Sequence, residues 1–135
     1  IVFPVHLRTQ KILDENDIGL NENLFLTEPL GYKKFIGLLA NSKFIMTDSG
    51  GIQEEAAVLN VPCFILRDNT EWMHLVDMGK NVLLGTDENR IVDFVNNVLH
   101  DTDILDKMRE VKTPIMTGAA LKIVSIIKKE YSNII

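Results

Sequence analysis

The chain has a single cysteine, Cys63, so it cannot close an internal disulfide. Cys63 stands in an apolar run, where a thiol is expected to be buried and inert. A reducing, cytoplasmic setting fits that usage. Histidine is scarce as well. His6, His74 and His100 are far apart, and none has a second ligand at a metal-like spacing. No metal and no cofactor are expected. Positive charge is also in short supply: 14 Lys and Arg face 19 Asp and Glu, a formal net charge of −5. No basic stripe is left over to neutralise phosphates, which argues against nucleic acid as a partner. No apolar run reaches the roughly 18–20 residues that span a bilayer, and no basic-then-apolar signal segment opens the chain. A membrane partner is therefore not expected.

What remains is an ordinary globular composition. Of 135 residues, 46% are hydrophobic and 24% charged, enough for one domain with one core. The first residue is Ile1, not Met, and it opens inside what reads as a strand. The chain is thus expected to be a piece of a longer protein, with residues upstream.

Short apolar runs alternate with helically spaced stretches. Ile1–Val5, Leu24–Thr27, Lys43–Thr47, Cys63–Leu66 and Asn81–Leu84 read as five strands. Most are continuous runs, the pattern of parallel strands buried on both faces. Between them, Phe35, Ile36, Leu38 and Leu39 carry helical spacing, and Ile52, Ala56 and Leu59 share a helical face. Ile91, Val92, Val95, Val98 and Leu99 form a broad stripe after Asp87, which reads as an N-cap. Ala120, Val124, Ile127 and Tyr131 form another stripe near the end. This alternation predicts a single α/β domain over residues 1–135, a doubly wound parallel sheet of Rossmann type. Ligands of such sheets bind at the carboxyl ends of the strands. That singles out His6 and Arg8, Glu28 to Gly31, Asp48 to Glu55, Arg67 to Glu71, and Gly85 to Asp87.

The third strand runs straight into Asp48-Ser49-Gly50-Gly51, and a helix follows. A helix start has free N–H groups and a positive dipole end. Two glycines remove the Cβ atoms that would hold a phosphate away from those groups. Ser49 adds a hydroxyl donor. A diphosphate can be held here without lysine or arginine; a plain tight turn is the alternative. Glu54 and Glu55 are expected in the first turn of this helix. One carboxylate can accept hydrogen bonds from both hydroxyls of a ribose, and that role is assigned to Glu55. Glu54 has the blander reading of an acidic residue near a helix start, with Gly51 and Glu54 as a capping pair.

These residues also carry a resemblance. Pro4-Val5-His6-Leu7-Arg8-Thr9, Glu28-Pro29-Leu30-Gly31-Tyr32 with Phe35, Thr47-Asp48-Ser49-Gly50-Gly51-Ile52-Gln53-Glu54-Glu55-Ala56, Val61-Pro62, Arg67-Asp68, and Gly85-Thr86-Asp87 with Arg90-Ile91-Val92 occur in this order. Over about the first hundred residues the chain resembles the non-hydrolysing UDP-N-acetylglucosamine 2-epimerases. The resemblance implies two Rossmann-like domains, arranged as in GT-B glycosyltransferases, of which this chain is the C-terminal one. It implies interconversion of UDP-N-acetylglucosamine and UDP-N-acetylmannosamine, by elimination of UDP to a 2-acetamidoglucal and re-addition to the opposite face. It places Ser49, Gly50 and Gly51 on the diphosphate, Glu55 on the ribose and Phe35 near the uracil. His6 faces the interdomain cleft, close to where the family can bind a second, activating UDP-sugar. It also implies a role in cell-surface polysaccharide biosynthesis and a homodimer formed through the absent N-terminal domain. By the residues alone His6 reads first as a structural histidine and Phe35 as a core residue, while Arg8 is equally a solvated charge.

The match has departures. The family usually carries Arg-Pro after Thr-Glu, with the arginine on the substrate; here Thr70-Glu71 is followed by Trp72-Met73. Trp72 cannot make the charge-assisted hydrogen bonds of a guanidinium; it can stack or simply pack. The family's N-P-Y-G-D-G segment is replaced by Lys112-Thr113-Pro114-Ile115-Met116-Thr117-Gly118, and Leu30 stands where some members have glutamine. The family's acid–base carboxylates lie on the other domain, and a further histidine, in a Gly-His-Arg segment, precedes the point where this chain begins. No catalytic residue is therefore assigned, and the chain alone is expected to be inactive. Two other readings are the donor-binding half of a GT-B glycosyltransferase and a non-catalytic nucleotide-sugar-sensing domain.

Overall fold

The computed structural model describes residues 1–16, 21–115 and 117–132. Met116, in the altered segment above, lies outside the described residues. The chain divides into two compact units, Ile1–Leu39 and Ala40–Ile135.

The first unit holds β1 (Val2–Pro4), α1 (Leu7–Glu15), β2 (Phe25–Thr27) and α2 (Tyr32–Ala40), whose last residue begins the second unit. The strands pair in parallel, Val2 with Phe25 and Pro4 with Thr27. The pairing continues past β1, because the Val5 N–H donates to the Thr27 carbonyl at 2.9 Å. Val5 and Leu39 are buried, yet Val2 and Phe3 are exposed. Burial on both faces, expected of most of the strands, is not met here; this two-stranded sheet has no inner strand to be covered. Helix α1 follows His6 and is not marked by an apolar stripe in the sequence.

The second unit holds β3 (Ile45–Thr47), α3 (Gly50–Val58), β4 (Cys63–Ile65), α4 (Met73–Asp77), β5 (Asn81–Leu83), α5 (Glu88–His100), α6 (Asp103–Glu110) and α7 (Ala119–Ser132). Its three strands lie in the order β3-β4-β5, all parallel, with Thr47, Ile65 and Leu83 in register. Central β4 is buried at every residue. The chain is thus α/β, built on parallel strands and intervening helices, as the alternation predicts.

Phe64 centres the core. Its ring meets Phe44 at 5.0 Å and Phe94, edge-on, at 5.0 Å. Leu84, Val98, Leu105 and Met108 close around it. The stripe of α5 is met in part: Val98 is buried and Ile91 packs on the same cluster, joined by Phe94, whereas Val92 and Leu99 are exposed. Asp87 is its N-cap, accepting from the Arg90 N–H at 2.8 Å. The stripe of α7 does form a helix, but Val124, Ile127 and Tyr131 are exposed on it. Cys63 is fully buried, and burial pushes its thiol up to about 12. It is an inert core thiol.

Candidate functional site

Because β3, β4 and β5 are parallel, the loops after them leave the same edge of the sheet. These loops carry Ser49 to Gly51, Arg67 to Glu71, and Gly85 to Asp87. At the end of β3, the Ser49 N–H donates to Thr47 Oγ1 at 3.1 Å, which turns the chain into α3. Ser49 is the N-cap, with extended backbone angles, but its side chain makes no capping bond. Its hydroxyl has no hydrogen-bond partner among the described residues.

Gly50 and Gly51 are the first residues of α3 and differ in their surroundings. A Cβ at Gly50 would lie 3.4 Å from Glu71 Oε2 and 3.7 Å from Trp72 Nε1. A Cβ at Gly51 would meet nothing within 4 Å. The backbone of the first turn is therefore bare on the Gly51 side and bounded by Glu71 and Trp72 on the Gly50 side.

The boundary is anchored to α3 itself. Gln53, fully buried, accepts a hydrogen bond from Thr70 Oγ1 at 2.5 Å, and the Trp72 N–H donates to the same hydroxyl at 3.2 Å. Glu71 is gripped at both oxygens by Arg67, Nη1 to Oε2 at 3.1 Å and Nη2 to Oε1 at 3.0 Å. That guanidinium, with a backbone N–H, holds the Glu71 carboxyl below the usual carboxylate range. Trp72 is half-buried, edge-on to His74 at 5.7 Å, and its indole N–H has no partner among the described residues.

Two details of the sequence reading are corrected. With Gly50 as the first helical residue, Glu54 and Glu55 fall in the second turn, and the first turn carries no acidic residue. The cap is Ser49, so the residue three positions on is Ile52 and no Gly51–Glu54 capping pair exists. Glu55 instead lies four residues after Gly51, one turn along the same face, and is half-buried. The Arg67–Glu71 grip and the Gln53–Thr70 link were not foreseen. The first had a signal in its i, i+4 spacing within a loop already singled out. The second had none, since a glutamine beside two glutamates reads as solvated.

His6 and Phe35 belong to the first unit. His6 is the N-cap of α1, and its Nδ1 accepts from the Arg8 N–H at 3.2 Å. The ring is exposed, leaving Nε2 toward solvent. Arg8 is exposed on α1. Phe35 is half-buried on α2, neither wholly core nor wholly free. Among the described residues no group of three His, Cys, Asp or Glu could hold a metal ion, and no helix is long and apolar enough to cross a membrane.

The sequence matches the family model described as UDP-N-acetylglucosamine 2-epimerase over residues 1–128. The chain belongs to the UDP-N-acetylglucosamine 2-epimerase family. It is 46% identical over 103 residues to a UDP-N-acetylglucosamine 2-epimerase of Methanococcus maripaludis, covering 73% of this chain and 28% of that protein. It is 39% identical over 102 residues to a UDP-2,3-diacetamido-2,3-dideoxy-D-glucuronate 2-epimerase of Pseudomonas aeruginosa, covering 76% of this chain and 28% of that one. The crystal structure of the Methanocaldococcus jannaschii UDP-GlcNAc 2-epimerase in complex with UDP-GlcNAc and UDP superposes with a TM-score of 0.79 at 38% identity. That match covers 96% of this chain and 35% of the other. This epimerase-family chain thus spans about a third of the length of the relatives it matches.

Proposed function

We propose that the chain is the UDP-binding part of an enzyme that interconverts UDP-N-acetylglucosamine and its 2-epimer. The carrying observation is the start of α3: a Ser-Gly-Gly turn whose N–H groups are uncovered at Gly51 and whose serine hydroxyl is unengaged. Free N–H groups at a positive helix end suit an anion in a protein whose net charge is −5. In this reading Ser49, Gly50 and Gly51 hold the diphosphate. Glu55, one turn beyond Gly51, accepts from the ribose hydroxyls. The same resemblance gives Phe35 and His6 nucleotide contacts, each to be tested by its own substitution. The reaction removes the proton at the sugar C2 and breaks the anomeric C1–O bond to UDP; the return step re-forms that bond and delivers a proton to the opposite face of C2. The reduced, buried Cys63 fits a cytoplasmic enzyme.

The relative that acts on a diacetamido-glucuronate shows that family members differ in their sugar. With Trp72 beside Gly50, another UDP-sugar is the second reading. Titration calorimetry with UDP tests the nucleotide site common to both. Glu55→Ala should weaken UDP binding about tenfold or more, the loss expected for a charged hydrogen-bond acceptor, and Glu54→Ala should change it little. Equal effects would remove the ribose from Glu55.

A further inference from the structure

We propose that Arg67 is a phosphate-binding residue held in reserve by Glu71, and that an arriving diphosphate takes the guanidinium over from the carboxylate. The inference rests on the diphosphate reading above and adds an exchange of partners to it. Glu71 Oε2 stands 3.4 Å from the point where a Gly50 side chain would begin. The same oxygen accepts from Arg67 Nη1 at 3.1 Å. The guanidinium is thus one carboxylate's width from the first turn of α3. A diphosphate on the Gly50 and Gly51 N–H groups would be brought against Glu71, and two anions there repel. Carboxylate and phosphate offer the same pair of acceptors to the arginine fork, so the ligand can replace Glu71 without rebuilding the site.

The surroundings allow the exchange. The Glu71 side chain is 64% exposed and that of Arg67 30%. Once released, the carboxylate has water to receive it. The loop does not depend on the ion pair, because the Trp72 N–H and Gln53 both bind Thr70 Oγ1 and tie residues 70–72 to α3. Trp72 brings an N–H to the same edge but no charge, so the cation for a phosphate at this point comes from Arg67.

The test titrates the wild-type chain and three variants with UDP, inorganic pyrophosphate and uridine, with thermal melts to establish folding. Glu71→Gln should bind UDP and pyrophosphate more tightly, by about tenfold, the scale of one charge-assisted bond gained and one repulsion removed. Arg67→Gln should weaken both by a similar factor, because it leaves Glu71 bare beside the phosphates. The double variant Arg67→Gln/Glu71→Gln should fall between the two, and uridine should not respond to any of them. Folded Glu71→Gln that binds UDP no tighter than wild type, while wild type does bind, overturns the exchange and leaves the diphosphate reading standing. Wild-type chain that binds neither UDP nor pyrophosphate overturns both.

Discussion

A methyl group added at Gly51 would meet no protein atom within 4 Å, and the residue's backbone is not in the left-handed region. For folding alone, alanine is therefore the better choice. It narrows the unfolded ensemble and should stabilise the chain by about 0.4–1 kcal/mol. For binding, the same methyl group stands over the N–H groups that would receive a phosphate. Gly51→Ala should raise the melting temperature by a few degrees and weaken UDP at least about tenfold. A thermal melt and a titration on one preparation measure both. Higher stability with unchanged UDP affinity would move the diphosphate away from Gly51. This opposition of signs separates a ligand-built glycine from a turn-built one, which the letters Ser-Gly-Gly cannot do. Ser49 was readable as the turn residue before a helix. That its hydroxyl makes no capping bond, and that its N–H donates to Thr47 Oγ1 two residues back, are details of the folded turn with no signal in the letters.

Between elements, the least expected feature is Lys80. Its side chain is fully buried, and its ammonium donates to Asn60 Oδ1, to the Met108 carbonyl at 3.1 Å and to the Val111 carbonyl at 3.0 Å. It joins the turn after α3 and the start of β5 to the C-terminal end of α6, where a cation also meets the negative end of the helix dipole. Burial first, and then the nearby Arg109 charge, push its pKa down from the ordinary lysine value. Lys80→Met should leave three acceptors without their donor and cost about 1–3 kcal/mol in denaturant unfolding at neutral pH. The sign of the pH dependence follows from linkage. Between the lowered folded pKa and the ordinary lysine value of 10.5, the unfolded chain holds more protons than the folded one. Wild-type stability gains from this lysine as pH rises through that window. The methionine variant has no such gain, so the gap between the two should widen with pH; a gap that narrows would contradict the lowered pKa and show the three acceptors outweighing burial. No sequence pattern announced Lys80, since lysine belongs at the surface by default and its partners lie 20, 28 and 31 residues away. Helix α5 was legible because Asp87 caps it and Ile91 and Val98 of its apolar stripe pack in the Phe64 cluster. Helices α4 and α6 were not: one has five residues, and neither N-cap side chain makes a capping bond. The parallel strands were legible as apolar runs, but how many neighbours each has was not, because that depends on pairing and not on composition.

Under the proposed function, the whole chain is expected to hold the nucleotide without carrying the base of the reaction. Elimination needs a base within hydrogen-bond reach of the sugar C2 proton. At the start of α3 the carboxylate nearest Gly50 is Glu71, and both its oxygens are engaged by Arg67. Its lowered pKa makes it a weak base as well. Freed by an arriving phosphate, it would face the ligand's charge and turn to water instead of to a carbon-bound proton. Glu55 stands one turn away, where the nucleotide reading gives it the ribose. The relatives that carry the epimerase name are about three times as long as this chain. The expected outcome is binding without turnover. The 135-residue chain should bind UDP, yet leave UDP-N-acetylglucosamine unchanged in deuterated water, with no deuterium entering at C2 and no 2-epimer formed. Proton NMR of the sugar follows both directly. Exchange at C2 catalysed by this chain alone, abolished by Glu71→Gln, would show that the base lies here after all. It would also reverse the role of Glu71, because a carboxylate that takes a proton from carbon cannot at the same time serve only to hold Arg67 for the phosphate.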